Sequence, residues 1–197
     1  KIPNVICYED LIEKESSDFE WPEFDENTAS GLCYTSGTTG NPKGVLYSHR
    51  STVLHALIQC FYNAGSFSPK KKILPIVPLF HANAWGIPYS APISGTSLVF
   101  PGANLDGKSV YDLLEKYSVN SAWGVPTVWM GLLEEISQRG GKKPDGLEEM
   151  LVGGSAAAKS LIEAFENMGV NVIHAWGMTE TSPLGTSGRL ISPFSDL

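Results

Sequence analysis

The chain has 197 residues, 42 % of them hydrophobic, and a formal charge of -7. That length supports one sizeable core, and the sign of the charge disfavours nucleic acid as a partner. No run is long and apolar enough to span a bilayer. Cys7, Cys33 and Cys60 show no metal-ligand spacing and cannot all pair, so reduced thiols in a cytoplasmic protein are expected.

Residues 1–30 are rich in acidic side chains and read as an acidic surface segment. It is expected to hold a short helix over 8–14 and a polar linker over 16–30, anchored by Trp21 and Pro22. Residues 31–197 then alternate short apolar runs with helical patterns. A strand over 32–35 leads into a Gly/Ser/Thr loop, and a helix follows over 48–63 with Ser48 or Ser51 as N-cap. Lys70, Lys71 and Lys72 form an exposed turn. A strand over 73–77 precedes a helical segment over 82–91, limited by Pro88. Strands are expected over 97–100, 120–125, 150–152 and 170–175. Helices are expected over 109–117, 126–139 (Pro126 in its first position) and 159–168. Alternation of this kind implies an α/β fold, a largely parallel sheet covered by helices. Ligands in such sheets sit beyond the carboxyl ends of the strands. The first Gly/Ser/Thr loop is expected at one such end.

That loop runs Thr35-Ser36-Gly37-Thr38-Thr39-Gly40-Asn41-Pro42-Lys43-Gly44. Glycines allow close approach of a bulky anion. Exposed N–H groups and hydroxyls donate to phosphate oxygens, and Lys43 adds a mobile positive charge. A plain surface turn is the simpler alternative for such a composition. The stretch is not a Walker loop, because no Gly-Lys-Ser/Thr closes it.

Further on, Pro78-Leu79-Phe80-His81-Ala82-Asn83-Ala84-Trp85-Gly86 follows a strand. On a helix His81 and Trp85, four apart, share one face, either as a pocket wall or as packing. Trp123-Gly124-Val125-Pro126 ends another strand. Gly153-Gly154-Ser155 follows a third, where paired glycines let backbone approach a flat ring or simply turn the chain. In Ala175-Trp176-Gly177-Met178-Thr179-Glu180, Trp176 offers a face for adenine, Thr179 a donor to phosphate, and Glu180 a hard oxygen ligand for Mg²⁺. His174 reads as structural. His49 and His55, on the helix after the loop, share no metal-binding face and are assigned no chemistry.

These stretches, in this order, resemble the signature motifs of the adenylate-forming enzymes, within their fatty acyl-CoA synthetase branch. Medium-chain and methylthiopropionate CoA ligases are similar. Trp176 stands where many members carry Tyr. The resemblance implies two steps: a carboxylate attacks ATP to give acyl-adenylate and pyrophosphate, and coenzyme A then displaces AMP. It implies catalytic roles for Lys43, Glu180 and His81. Nucleotide contacts would come from Thr35, Ser36, Gly37, Thr38, Thr39, Gly40, Lys43, Gly154, Ser155, Trp176, Gly177 and Thr179. The acid would contact His81, Trp85, Trp123, Val125 and Gly153, and Mg²⁺ would lie on Glu180 and Thr35. Phe80, Trp85, Trp123 and Val125, with no acidic residue in 78–86, imply an apolar acyl chain. ATP, Mg²⁺, coenzyme A and a fatty acid are the expected ligands, and a homodimer is a candidate assembly. The chain is expected to be an internal piece of the family's N-terminal domain, lacking the ribose-binding aspartate and the C-terminal domain with its catalytic lysine, and therefore inactive alone. A carrier-protein-loading adenylation domain and a non-catalytic nucleotide-binding scaffold are the alternatives.

Overall fold

The computed structural model describes residues 3–35, 40–63 and 65–188. Every described residue from 3 to 30 is exposed, and the segment's one helix, α1 (Tyr8–Ile12), buries nothing. Trp21 does not anchor the linker. It is 85 % exposed and touches only its neighbour Phe19, edge to face at 5.0 Å, among the aromatic rings described.

β1 (Ala29–Thr35) and β2 (Lys43–Ser48) form an antiparallel two-stranded sheet of their own. This corrects the expectation that the Gly/Ser/Thr loop sits at a strand end of the parallel sheet. The loop instead connects β1 to its antiparallel partner β2, which lies between it and the helix. The register places Thr35 opposite Lys43 at the mouth of that turn. Ser48 then caps α2 (His49–Tyr62): its side chain accepts from the Ser51 N–H at 3.0 Å, while Ser51 Oγ accepts from the Ser48 N–H at 3.1 Å.

β3 (Lys72–Pro75) opens the main sheet. It is followed by the single turn α3 (Ala82–Trp85), by α4 (Ile87–Ser94) and by the edge strand β4 (Ser97–Leu98). Then come α5 (Gly107–Tyr117), β5 (Ser121–Gly124), α6 (Pro126–Gln138), β6 (Glu149–Val152), α7 (Lys159–Glu166) and β7 (Asn171–Gly177). A short 3₁₀ turn, Thr179–Thr181, leads back into β8 (Leu184–Gly188). The sheet order is β4-β3-β5-β6-β7-β8, parallel throughout except for β8, which pairs antiparallel with β7.

The side-chain period of two along these strands builds two cores. Leu74, Ala122, Met150 and Val172 align across the sheet and pack under α5, α6 and α7 with Leu114, Trp129 and Phe165. Trp123, Leu151 and Ile173 align on the opposite face, with Phe67, Ala84 and Ile87. Strands buried on both faces read as continuous apolar runs, which is why these four were legible. Strand order reverses at β3, which has β4 on one side and β5 on the other, and open α/β sheets take ligands at such a point. Among the described residues no helix is long and apolar enough to cross a membrane.

The expected helix over 82–91 is broken. Ala82, Asn83, Ala84 and Trp85 have φ of 47°, 53°, 47° and 56°, a left-handed turn, and Gly86 at φ 81° ends it. Pro88 then sits in the first turn of α4, where its missing N–H costs no hydrogen bond. Each L-residue in the left-handed region costs roughly 1–2 kcal/mol, so the neighbours must hold α3 in place.

Candidate functional site

A cavity of about 550 Å³ opens at the carboxyl ends of the central strands. The hairpin contributes Thr35 and Lys43, placed side by side by the β1–β2 register. The segment after β3 contributes His81, Ala82 and Trp85. The central strands and the turns after them contribute Trp123, Leu151, Gly153, Gly154 and Ala175. The β7–β8 turn contributes Trp176, Gly177, Met178, Thr179, Glu180, Pro183 and Leu184, and α2 contributes Gln59.

Two antiparallel hairpins thus converge on one space, and among the described residues one hydrogen bond joins them. Tyr47 on β2 donates its phenol O–H to the Thr179 carbonyl at 2.5 Å. Burial pushes that phenol up to about 12, with Cys33 and Glu180 adding to the effect, so Tyr47 stays a neutral donor. The β7–β8 turn is closed by its own bonds. The Met178 N–H donates to the Pro183 carbonyl at 3.0 Å, and Thr181 Oγ1 donates to the same oxygen at 2.6 Å. A Cβ on Gly177 would collide with that carbonyl, so the position requires glycine. Trp176 rests its indole on Gly185 and is 54 % exposed at the cavity wall, available for stacking.

His81 and Trp85 both line the cavity, but not by sharing the face of a right-handed helix. The left-handed turn of α3 places them there instead. The paired glycines do approach a flat ring, and in this structure it is the Trp85 indole. A Cβ on Gly153 would lie 3.2 Å from that ring, and one on Gly154 3.6 Å from it and 3.1 Å from Val125. Trp123 is fully buried beneath, its indole N–H donating to Ser121 Oγ at 3.0 Å.

Gly40, Val125 and Ser155 do not line the cavity; Val125 acts one layer back, against Gly154, while Gly40 and Ser155 are exposed. Phe80 is 88 % exposed and contributes nothing to the apolar wall. Ser36, Gly37, Thr38 and Thr39 lie outside the described residues. Sequence reasoning missed Gln59, Tyr47, Ala82, Leu151, Ala175, Met178, Pro183 and Leu184. Leu151 was accessible from strand alternation, since it is the β6 partner of Trp123. Gln59 stood out as a polar residue in the apolar run Ala56-Leu57-Ile58-Gln59-Cys60.

Among the described residues no group of three or more His, Cys, Asp or Glu side chains forms a metal cage. Among the described residues the cavity offers one carboxylate, Glu180, together with the Thr35 and Thr179 hydroxyls. Such a donor set suits Mg²⁺, which takes one or two carboxylates and completes its shell with water and substrate phosphates.

The chain is 52 % identical to the medium-chain-fatty-acid–CoA ligase of Ectopseudomonas oleovorans, over 100 % of this chain and 36 % of the relative. It is 51 % identical to the 3-methylmercaptopropionyl-CoA ligase of Ruegeria lacuscaerulensis, over 95 % and 35 %. The chain therefore spans about a third of the length of these relatives. The solved o-succinylbenzoate coenzyme A synthetase of Bacillus subtilis, in complex with ATP and magnesium ion, superposes with a TM-score of 0.78 at 26 % identity, covering 95 % of this chain and 38 % of that one. Residues 2–195 match the family described as AMP-binding enzyme, and with the motifs in order around one cavity the chain belongs to that family.

Proposed function

We propose that this chain forms the nucleotide- and acid-binding centre of a longer ATP-dependent acyl-CoA synthetase acting on a fatty acid or an acid of similar apolar character. One observation carries the reading: Thr35, Lys43, Thr179 and Glu180 line the same cavity as His81, Trp85 and Trp123. Phosphate-binding and acyl-binding chemistry therefore meet in one space. Two of the relatives, a medium-chain-fatty-acid–CoA ligase and a 3-methylmercaptopropionyl-CoA ligase, support the substrate class. The Bacillus synthetase, solved with ATP and magnesium ion, supports the nucleotide and the metal.

In this reading a substrate carboxylate oxygen bonds to the α-phosphorus of ATP and the bond to pyrophosphate breaks. The thiol of coenzyme A then attacks the acyl carbon and releases AMP. Lys43 and the hydroxyls of Thr35 and Thr179 bind the polyphosphate and orient it for in-line attack. His81 orients the carboxylate, and Trp85, Trp123 and Leu151 exclude water around the acyl chain. Trp176 stacks on adenine. Glu180, with Thr35, would hold Mg²⁺, which offsets the phosphate charge that builds as the leaving group departs.

The test is a screen of carboxylic acids with the full-length protein that carries this chain, following ATP–pyrophosphate exchange and thioester formation. Exchange with alkanoic acids, and thioester only when coenzyme A is present, is the expected result. Preference for amino acids over alkanoic acids of similar size, or transfer to a carrier protein but not to free coenzyme A, would overturn it.

A further inference from the structure

The left-handed turn α3 carries Trp85 and follows His81, yet its four L-residues disfavour that conformation. Strained backbone persists only where the surroundings over-determine it. Inside the turn, the Ala84 N–H donates to the Pro78 and His81 carbonyls, both at 3.2 Å, and the Gly86 N–H donates to the Asn83 carbonyl at 3.0 Å. From outside, Gln59 of α2 donates its Nε2–H to the Trp85 carbonyl at 2.8 Å. The Oε1 of the same amide accepts from Ser90 Oγ on α4. Gln59 is 1 % exposed and stands in the cavity wall. Beside it, His55 packs against Gly86 so closely that no side chain fits there. One amide thus ties α2, α3 and α4 together behind the indole that covers Gly153 and Gly154.

We propose that Gln59 is a positioning residue of the acid pocket. Its amide fixes the Trp85 backbone, and through it the indole, and so sets which acyl lengths the cavity accepts. The role needs a side chain that donates and accepts at once from a buried position, which an amide does and a carboxylate or thioether does not. The substrate part rests on the acyl-CoA ligase reading above; the anchoring part stands on the structure alone.

Two readouts in the full-length protein keep these parts separate. In Gln59→Met, which keeps the volume and removes both bonds, KM for the acid should rise about tenfold while KM for ATP stays within about twofold, because the Trp85 carbonyl loses its donor. In a Trp85→Ala background the same substitution should change the acid KM by no more than about twofold, since residues acting through one another are not additive. Independently of turnover, amide exchange at residues 84 and 86 should accelerate about tenfold in Gln59→Met, with the β1–β2 hairpin unchanged. If Gln59→Met does not fold, Ser90→Ala removes the amide's other bond and should shift both readouts in the same direction. Unaltered exchange at 84 and 86 would overturn the anchoring. Equal rises in KM for acid and ATP, or the same factor with and without Trp85, would reduce Gln59 to helix packing. A wild-type protein that activates no acid would refute the proposed function, and exchange would still decide the anchoring.

Discussion

Lys43 and Glu180 are the charged side chains that the described cavity wall presents, and they sit on different turns. In the proposed reaction Lys43 binds the phosphates directly, whereas Glu180 would act on them through the Mg²⁺ it holds. Glu180→Ala should lower ATP–pyrophosphate exchange in the full-length protein by about a hundredfold or more, the usual cost of losing a group that acts in the transition state. Lys43→Ala should cost less, on the order of tenfold, because hydroxyls and N–H groups of the same hairpin remain. Wild-type exchange in the Glu180 variant would remove the metal assignment. His55 gives a different signal. Burial pushes its imidazole down to about 4 from 6.5, and its Nε2 has no hydrogen-bond partner among the described residues. Between these values the unfolded chain binds a proton that the folded chain refuses. Stability should therefore be unaffected by His55 above pH 6.5, fall as pH drops from 6.5 to 4, and lose nothing further from this group below 4. The loss should be on the order of 3 kcal/mol. Denaturant melts across that window should show the slope in the wild type and a flatter one in His55→Gln.

In the proposed reaction the two hairpins assemble the nucleotide half of the cavity, and their junction is testable. Tyr47→Phe leaves the buried Thr179 carbonyl with only the long 3.4 Å bond from the Ser182 N–H, which should cost about 1–3 kcal/mol. At about 2–4 °C per kcal/mol for a domain of this size, thermal melting should show it. The effect should extend to ATP binding, because Thr179 and Glu180 ride on that turn. An unchanged KM for ATP in Tyr47→Phe would mean that the turn holds its shape without the hairpin. Neither β2 nor β8 was legible beforehand, and the reason is shared. Each is a short strand paired antiparallel at an edge or outside the main sheet, with exposed alternate residues such as Leu46, so neither shows the continuous apolar run of β5 or β6. The left-handed α3 was equally hidden, since Ala-Asn-Ala-Trp has no glycine until Gly86 to announce a positive φ.

Taken as one body, this chain carries a half-open site and uncovered apolar faces. Leu32 and Leu46 face each other across the hairpin, and Val53, Leu57 and Phe61 run along α2, all exposed. With relatives about three times as long, we expect residues 1–197 alone to bind ATP weakly at most, to form no acyl-CoA, and to self-associate. Sedimentation and a coenzyme A thioester assay on the isolated chain check this; turnover matching the full-length protein would show that these motifs suffice. The sequence by itself determined the α/β alternation and the central parallel strands, and it offered residue types suited to phosphate, metal and acyl contacts. Those are local properties of spacing and composition. Tertiary structure alone decided that the Gly/Ser/Thr loop connects two antiparallel strands, and that Tyr47 joins that hairpin to the turn of Glu180. It also decided that the paired glycines receive the Trp85 indole and that Gln59 holds the strained turn beneath it. All but the first depend on residues 26 to 132 positions apart meeting in space, and no local pattern encodes such a meeting.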